Sequence, residues 1–149
     1  MKINAFADVS LRALMVLAAA PEDTLLTTQN VADSVGTPYN HVSKAMAKLR
    51  GLGLIEVVRG RTGGARLSLA GRNATVGQVL RELDTRSDPA ECVGATGECP
   101  LINDCKLRAA LSRAREAFYR ELDSIVIAEL PGPRQMAPVF RLIGLRPGL

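Results

Sequence analysis

Hydrophobic positions recur with a helical period over most of this 149-residue chain, and one segment alternates like a pair of strands. The pattern predicts a first helix from about Ala5 to Ala19, which Pro21 stops. A short second helix follows a threonine cap and ends at Gly36. Thr37 is predicted to cap a third helix, with a proline at the first helical position.

The third helix has a clear division between an apolar and a polar face. Val42, Ala45, Met46 and Leu49 stand at i, i+3, i+4 and i+7 and predict a buried face. Two short helices joined by a tight turn, the second with a polar and basic outer face, are typical of a helix-turn-helix. Candidates for contacts with bases and nearby phosphates are Thr28, Tyr39, Asn40, His41, Ser43 and Lys44.

A basic hairpin is predicted directly after this pair of helices. LIEVVRG and ARLSL alternate like strands, and the glycines of RGRTGGA supply the turn. A hairpin in this position is typical of a wing, whose arginines can enter the minor groove. Lys48, Arg59 and Arg61 are candidates for contacts with the DNA backbone or minor groove. A solvated hairpin would explain the arginines alone, but the adjacent helix-turn-helix favours DNA binding.

Charge and composition support this interpretation. The net charge is +4, but residues 37–72 hold seven basic residues against one acidic residue, which leaves +6 on 36 residues. Such a patch is typical of a surface that meets phosphates. With 47% hydrophobic but 3% aromatic residues, the core must be aliphatic. The chain contains no uninterrupted apolar run of about 18 residues, so no membrane span is predicted. We therefore expect a soluble cytoplasmic protein. No residue constellation indicates an enzyme.

The three cysteines of the chain, Cys92, Cys99 and Cys105, lie within fourteen residues in a segment with little periodicity. Their odd number disfavours a disulfide framework. A structural zinc site expects four Cys or His ligands in short pairs, and the single histidine, His41, lies far upstream. An iron–sulfur cluster tolerates wider spacing but usually takes four thiolates. The spacing favours a cluster with one non-cysteine ligand and leaves zinc or a thiol switch open.

The remaining helices complete a mainly α fold. Thr75 and Gln78 form a capping box for a helix that runs to about Leu83. A stripe of apolar residues predicts a helix of roughly 25 residues, about 38 Å long, and its length favours dimerisation. The predicted organisation is a winged helix-turn-helix DNA-binding domain that includes the first helix (1–84), a cluster-binding loop (85–106), a dimerisation helix (104–130) and a Pro/Gly-rich C-terminal tail without regular structure (131–149).

Over about residues 1–130 the chain resembles the winged-helix bacterial iron–sulfur regulators of the IscR and NsrR type, and most of all the nitric-oxide-sensing NsrR group. FADVSLRAL resembles the opening helix of the family, and NHVSKAMAKLRGLGLIEVVRGRTGGARLSL its recognition helix and wing. The family segments that follow the wing are similar to two further stretches of this chain, VGQVLRELD and CPLINDCKLRAALSRAREAFYRELDSIVIAEL. RGRTGG is fairly specific to the family, and the cysteine trio narrows the match to its cluster-binding members.

The resemblance implies a homodimer that binds a pseudo-palindromic double-stranded operator, with one iron–sulfur cluster per subunit held by Cys92, Cys99 and Cys105. It also implies a fourth ligand, Asp8 of the partner subunit. Asp8 and Arg12 are four residues apart on the first helix and would otherwise be an ordinary surface ion pair. Arg12 would then orient that carboxylate. The absence of a histidine just after the third cysteine argues against the IscR-type site and favours a [4Fe–4S] over a [2Fe–2S] cluster.

The implied function is a transcriptional repressor that senses nitric oxide and releases its operator when the cluster is nitrosylated. Six residues separate Cys92 from Cys99, and this gap varies across the family. The signal therefore stays open, and the alternatives are an iron-responsive or redox-responsive regulator of the same fold, or a thiol switch. An electron-transfer protein is disfavoured because it has no use for a wing.

Overall fold

The computed structural model of the protein describes residues 2–86, 88–90, 92–94 and 97–145. Within these ranges the fold is mainly α, and none of its helices is both long and apolar enough to cross a bilayer. The helices and strands are α1 (Ala5–Ala19), α2 (Thr28–Val35), α3 (Tyr39–Gly51), β1 (Ile55–Val58), β2 (Gly64–Leu67), α4 (Leu69–Asn73), α5 (Val76–Leu83), β3 (Val93–Gly94), β4 (Gly97–Glu98), α6 (Lys106–Leu122), a 3-10 helix (Ile127–Glu129) and α7 (Pro133–Leu142).

The core of the N-terminal half lies where α1 packs across α2 and α3. Leu14, Val31, Val42 and Leu49 meet there and are fully buried. Burial of one such aliphatic side chain contributes about 1.5–3 kcal/mol. The predicted bounds of α1 and the predicted buried face of α3 are confirmed.

A capping box sets the start of α2, as the threonine predicted. The Thr27 hydroxyl accepts a hydrogen bond from the Asn30 N–H, and the Asn30 side chain accepts one from the Thr27 N–H. Gly36 ends the helix with φ +62°, in the left-handed region that favours glycine. α5 starts with the same arrangement, formed by the predicted pair Thr75 and Gln78.

The cap predicted for α3 is wrong by one position. Pro38, not Thr37, is the residue that precedes the first helical turn, and its side chain cannot cap. The Thr37 hydroxyl instead donates to the Val35 carbonyl at 3.4 Å. The turn between α2 and α3 is therefore one residue longer than predicted.

The wing is the antiparallel hairpin β1–β2, in which Ile55 pairs with Leu67 at the base. Leu26 extends this sheet, because its N–H and carbonyl both bond to Ala65, at 3.0 and 2.8 Å. A Cβ at Gly64 would lie 2.8 Å from the Leu26 carbonyl oxygen, so only glycine fits there. The predicted wing is present, and its base is anchored to the core.

The second strand of the wing ends earlier than predicted, at Leu67, because Ser68 caps α4. The Ser68 hydroxyl accepts from the Gly71 N–H at 3.0 Å and donates to the Gly53 carbonyl at 2.6 Å. The α4 helix was not predicted, since five residues carry too little periodicity to reveal a helix.

The continuous helix predicted over 104–130 is wrong, because α6 covers 17 residues, about 26 Å. After α6 the chain pairs with the start of α5. The Val76 N–H donates to the Ile125 carbonyl at 2.9 Å, and the Ile127 N–H donates to the Ala74 carbonyl at 3.0 Å. Ile127 is then completely buried. These non-local contacts override the helical period of the sequence.

The C-terminal tail, expected to lack regular structure, contains α7. Pro133 lies in its first turn, where the missing N–H costs no hydrogen bond. Met136 and Phe140 are buried, and the helix packs against α2. The expectation of an irregular tail was therefore wrong for residues 133–142, whose prolines masked an i, i+4 apolar pair. Residues 146–149 lie outside the described part of the chain.

Candidate DNA-binding surface and cysteine loop

The polar face of α3 lies on the surface beside the wing. Tyr39 at its start is 49% exposed, so its ring is accessible to a partner. The other predicted contact residues share this surface. Asn40, His41, Lys44, Lys48, Arg59 and Arg61 are exposed, and Thr28 and Ser43 are half-buried.

An open groove with a volume of about 420 Å³ separates α3 from the wing. Thr28, Ser43 and Arg59 line it, so the structure brings together candidates from three elements. Arg50 also lines this groove, although the sequence analysis did not select it. Its spacing of i+7 from Ser43 was the signal that could have found it.

The wing leaves two of its three arginines available to a partner. Arg66 pairs with Glu56 on the neighbouring strand, with 3.0 Å between Nε and Oε2. In the described ranges, neither Arg59 nor Arg61 has a carboxylate partner. Their positive charge is therefore free to attract phosphates or a narrow minor groove.

A small hairpin brings two of the three cysteines side by side. Strands β3 and β4 pair Val93 with Glu98, and the Cys99 N–H donates to the Cys92 carbonyl at 2.9 Å. Residues paired in this way have Cα atoms roughly 4.5–5.5 Å apart. The gap of six residues between these cysteines is therefore the length of a hairpin, a structure that the sequence analysis missed.

The third cysteine stands at the start of α6. A turn in which the Ile102 N–H donates to the Cys99 carbonyl at 3.0 Å leads towards it. Asp104 adopts φ +53°, a left-handed conformation uncommon outside glycine. Cys105 then precedes the helix, and its Sγ accepts a hydrogen bond from the Arg108 N–H at 3.4 Å. The sulfur thus lies at the positive end of the helix dipole.

All three thiols are free and half-buried. Burial raises the pKa of the Cys92 thiol, and the Asp88 carboxylate raises it further, whereas the Arg108 guanidinium lowers it. Negative charge on Cys99 or Cys105 also raises this pKa. Cys99 and Cys105 therefore both lie within electrostatic reach of Cys92, and a bound cation would stabilise the thiolate forms.

The donor set consists of three free thiols on one loop, which are soft ligands of the kind that iron–sulfur clusters take. Across the described residues, no three His, Cys, Asp or Glu side chains converge closely enough to hold one metal ion. A structural zinc ion would need four converging ligands. A cluster of several irons spaces its thiolates more widely, and three soft sulfurs on one turn-rich loop suit it.

Asp8 and Arg12 form an ion pair on the surface of α1. The Arg12 Nη2 and Asp8 Oδ2 atoms are 2.7 Å apart, and the Asp8 side chain is 38% exposed. Both residues border a groove of about 520 Å³, which α7 helps to line through Met136. Among the described residues, Asp8 forms no metal-binding group with the cysteines of its own chain.

The helix-turn-helix, its basic wing and the attached thiol loop define a winged-helix DNA-binding regulator. Residues 3–132 match the Rrf2 family, described as iron-dependent transcriptional regulators. The chain therefore belongs to the Rrf2 family, which confirms the resemblance seen in the sequence. As a member of a family of DNA-binding regulators, the protein is not an enzyme, as predicted.

Individual relatives agree with this assignment. The HTH-type transcriptional repressor NsrR of Streptomyces coelicolor is 43% identical over 131 residues, which cover 87% of this chain and 88% of that protein. The fold is similar to that of IscR from T. potens, with a TM-score of 0.67, 21% identity and coverage of 87% and 85%. CymR, the global cysteine regulator of B. subtilis, gives a TM-score of 0.66 at 24% identity, with coverage of 87% and 95%. The predicted winged-helix fold is confirmed.

Proposed function

We propose that this protein is a transcriptional repressor that responds to nitric oxide through an iron–sulfur cluster held by Cys92, Cys99 and Cys105. The observation that carries the proposal is the loop itself, where a hairpin places two free thiols side by side and the start of α6 carries the third. The 43% identity to a repressor named NsrR supports the repressor role. The nitric oxide response rests on the sequence resemblance to the NsrR group.

The chain supplies the ligands and their surroundings. Iron held by these residues would supply a site to which a small neutral molecule such as nitric oxide could bind. The three thiolates hold iron tightly, whereas Asp8 of the partner subunit is a harder and weaker ligand. Arg12 holds that carboxylate in place through the 2.7 Å ion pair. We assign a [4Fe–4S] cluster, with [2Fe–2S] as the alternative.

The exposed face of α6 supports a homodimer. The apolar stripe predicted from the sequence divides into a part that is covered and a part that is exposed. The covered part packs on the core of the same chain and consists of Phe118, Leu122 and Ile125. Leu107, Leu111 and Ala114 are exposed, and Leu107 reaches 67%. A second copy that packs along this half of α6 would bury these side chains, in keeping with the two-fold symmetry of operators read by helix-turn-helix dimers.

A continuous series of packed helices joins the loop to the DNA-binding surface. The loop continues into α6, α6 packs on α5, α5 on α1, and α1 on α3. If the partner's Asp8 binds the cluster, that bond ties the DNA-binding half of one subunit to the loop of the other. Loss of the tie would let the recognition helices leave a spacing of about 34 Å. A switch from mostly bound to mostly free needs about 5 kcal/mol, a scale that two ligand bonds can reach.

The test is anaerobic purification, followed by iron and sulfide counts and a nitric oxide titration beside a DNA-shift assay. We expect bound iron, a visible absorption band and operator release on titration. Cys99→Ser should lose the iron, whereas Arg61→Ala should keep it and lose DNA affinity. Protein that carries no iron, holds its operator and ignores nitric oxide would refute the proposal.

The aspartate is tested separately. Asp8→Ala should retain a cluster but uncouple it from DNA affinity, since the thiolates remain and the tie between subunits is lost. The matched control is Asp23→Ala, which removes an exposed carboxylate from the loop after α1. If nitric oxide still releases Asp8→Ala from DNA as it does the unmodified protein, the proposed tie is wrong.

An iron-responsive regulator is the second candidate, because the family is described as iron-dependent. One experiment distinguishes an iron sensor from a nitric oxide sensor. An iron sensor should release or bind its operator when a chelator removes iron, and should respond to nitric oxide only as far as iron is lost. A nitric oxide sensor should respond before any iron leaves the protein.

A further inference from the structure

One ion pair joins the two ends of the cysteine loop. The Arg108 guanidinium donates through Nε to Asp88 Oδ1 at 2.6 Å and through Nη2 to Oδ2 at 2.9 Å. Asp88 stands four residues before Cys92, and Arg108 stands three residues after Cys105. We call this pair the loop clamp.

The loop clamp differs from an ordinary surface ion pair in two respects. Both guanidinium–carboxylate hydrogen bonds form, which fixes the relative orientation of the two groups. The Asp88 side chain is only 10% exposed, whereas most surface pairs lie in water and contribute little. Asp88→Asn would leave the Arg108 charge without its carboxylate partner.

Arg108 also contacts a candidate cluster ligand directly. Its backbone N–H donates to the Cys105 Sγ at 3.4 Å, while its side chain holds Asp88. One residue therefore fixes the sulfur at the end of the loop and the chain that enters the loop. This arrangement links the positions of Cys92 and Cys105.

The loop clamp completes a series of contacts between α6 and the segment that follows α5. The Tyr119 hydroxyl donates to the Asp84 carboxylate. Nearer the start of α6, Arg115 donates to the Arg86 carbonyl at 3.1 Å. The loop clamp comes next, about two turns further towards the start of the helix. The segment thus lies along α6 in a defined register, which directs its end towards the sulfur at the start of the helix.

We propose that Asp88 and Arg108 are positioning residues, which hold Cys92 and Cys105 at the separation that the iron–sulfur cluster requires. The proposal rests on the proposed function for the identity of the bound group. Without the loop clamp, the chain before Cys92 can move away from α6, and the site must be ordered each time iron binds. Loss of residues that orient metal ligands typically weakens metal binding by about 10–100-fold.

The first test needs no metal. In a Cys99→Ser background, Cys92 and Cys105 are the remaining thiols, and a short bis-maleimide added to reduced apoprotein reports how often they meet. We expect Asp88→Asn to lower the ratio of intramolecular cross-link to single modification about tenfold, the low end of that range. Glu56→Gln is the matched control, since it breaks an ion pair of similar chemistry on the wing.

The second test uses the loaded protein with all three cysteines. We expect the cluster absorbance of Asp88→Asn to decay about tenfold faster under a chelator, at the low end of the same range, with Glu56→Gln unchanged. The exchange variant, Asp88→Arg with Arg108→Asp, should restore both cross-linking and cluster lifetime, which a general loss of stability would not. Unchanged cross-linking in Asp88→Asn would overturn the positioning role of the loop clamp, whichever cofactor the loop binds. Absence of iron from the unmodified protein would instead overturn the proposed function.

Discussion

Because the chain turns back to the core after α6, we predict that replacement of Ile127 strongly destabilises the protein. This side chain is completely buried, where the 3-10 helix packs against α1 and α4. Its replacement by alanine removes three carbons from a closed core, at a cost of about 2–5 kcal/mol, whereas Ile127→Val should cost about 0.5–1.5 kcal/mol. In a domain of this size, a loss of about 3 kcal/mol lowers the melting temperature by about 6–12 °C.

The assay is thermal unfolding of the apoprotein, followed by circular dichroism at one protein concentration, because the proposed dimerisation would make the melting temperature concentration-dependent. Leu130→Ala is the matched control: it lies three residues on and is 41% exposed, so its cost should stay within about 1 kcal/mol. Equal melting temperatures for Ile127→Ala and Leu130→Ala would contradict the assignment of Ile127 to the core. They would favour the continuous helix that the sequence alone indicated.

Three further predictions concern the surfaces. Arg61→Ala should weaken operator binding, and if Arg61 contacts a phosphate, the plot of log affinity against log salt should flatten by about 0.9; an unchanged slope with lost specificity would mark a base contact. Leu111→Glu should shift the protein from dimer to monomer in sedimentation velocity, whereas Leu69→Glu, at a site 76% exposed, should not. The hydrogen bond from Arg81 lowers the pKa of Asp123 in the folded protein. The stabilisation that this carboxylate contributes is therefore present above the pKa of Asp123 in the unfolded chain, and it is lost as the pH falls through the pKa in the folded protein. Asp123→Asn should consequently reduce the loss of stability below about pH 4.

The DNA-binding half was largely predictable from sequence because its signals are local. The apolar spacing of α3 and the capping pair Thr75–Gln78 depend on residues a few positions apart, and both predictions agree with the structure. The glycine that ends α2 is equally local. The candidate DNA contacts followed from the polar face of one helix, although Arg50 was missed because it sits at the far end of that face.

The errors arose where distant parts of the chain meet. The end of α6 is set by hydrogen bonds to the start of α5, about fifty residues earlier, and no helical period reports them. The α7 helix forms against α2, and its prolines suggested a loop. Asp88 and Arg108 are twenty residues apart, so their pairing depends on how the intervening loop folds. Spacing of the cysteines alone could not reveal the β3–β4 hairpin.

Cys105 has two roles under the proposed function, because the sulfur proposed to bind iron also accepts the N–H of Arg108 in the opening turn of α6. An alkylating reagent that consumes this thiol would remove the proposed metal ligand and a helix cap together. The resulting fraying would begin beside the exposed Leu107 and spread along the face proposed to meet the second subunit. Chemistry at a single sulfur atom would thereby reach quaternary structure without passing through the DNA-binding half of its own chain.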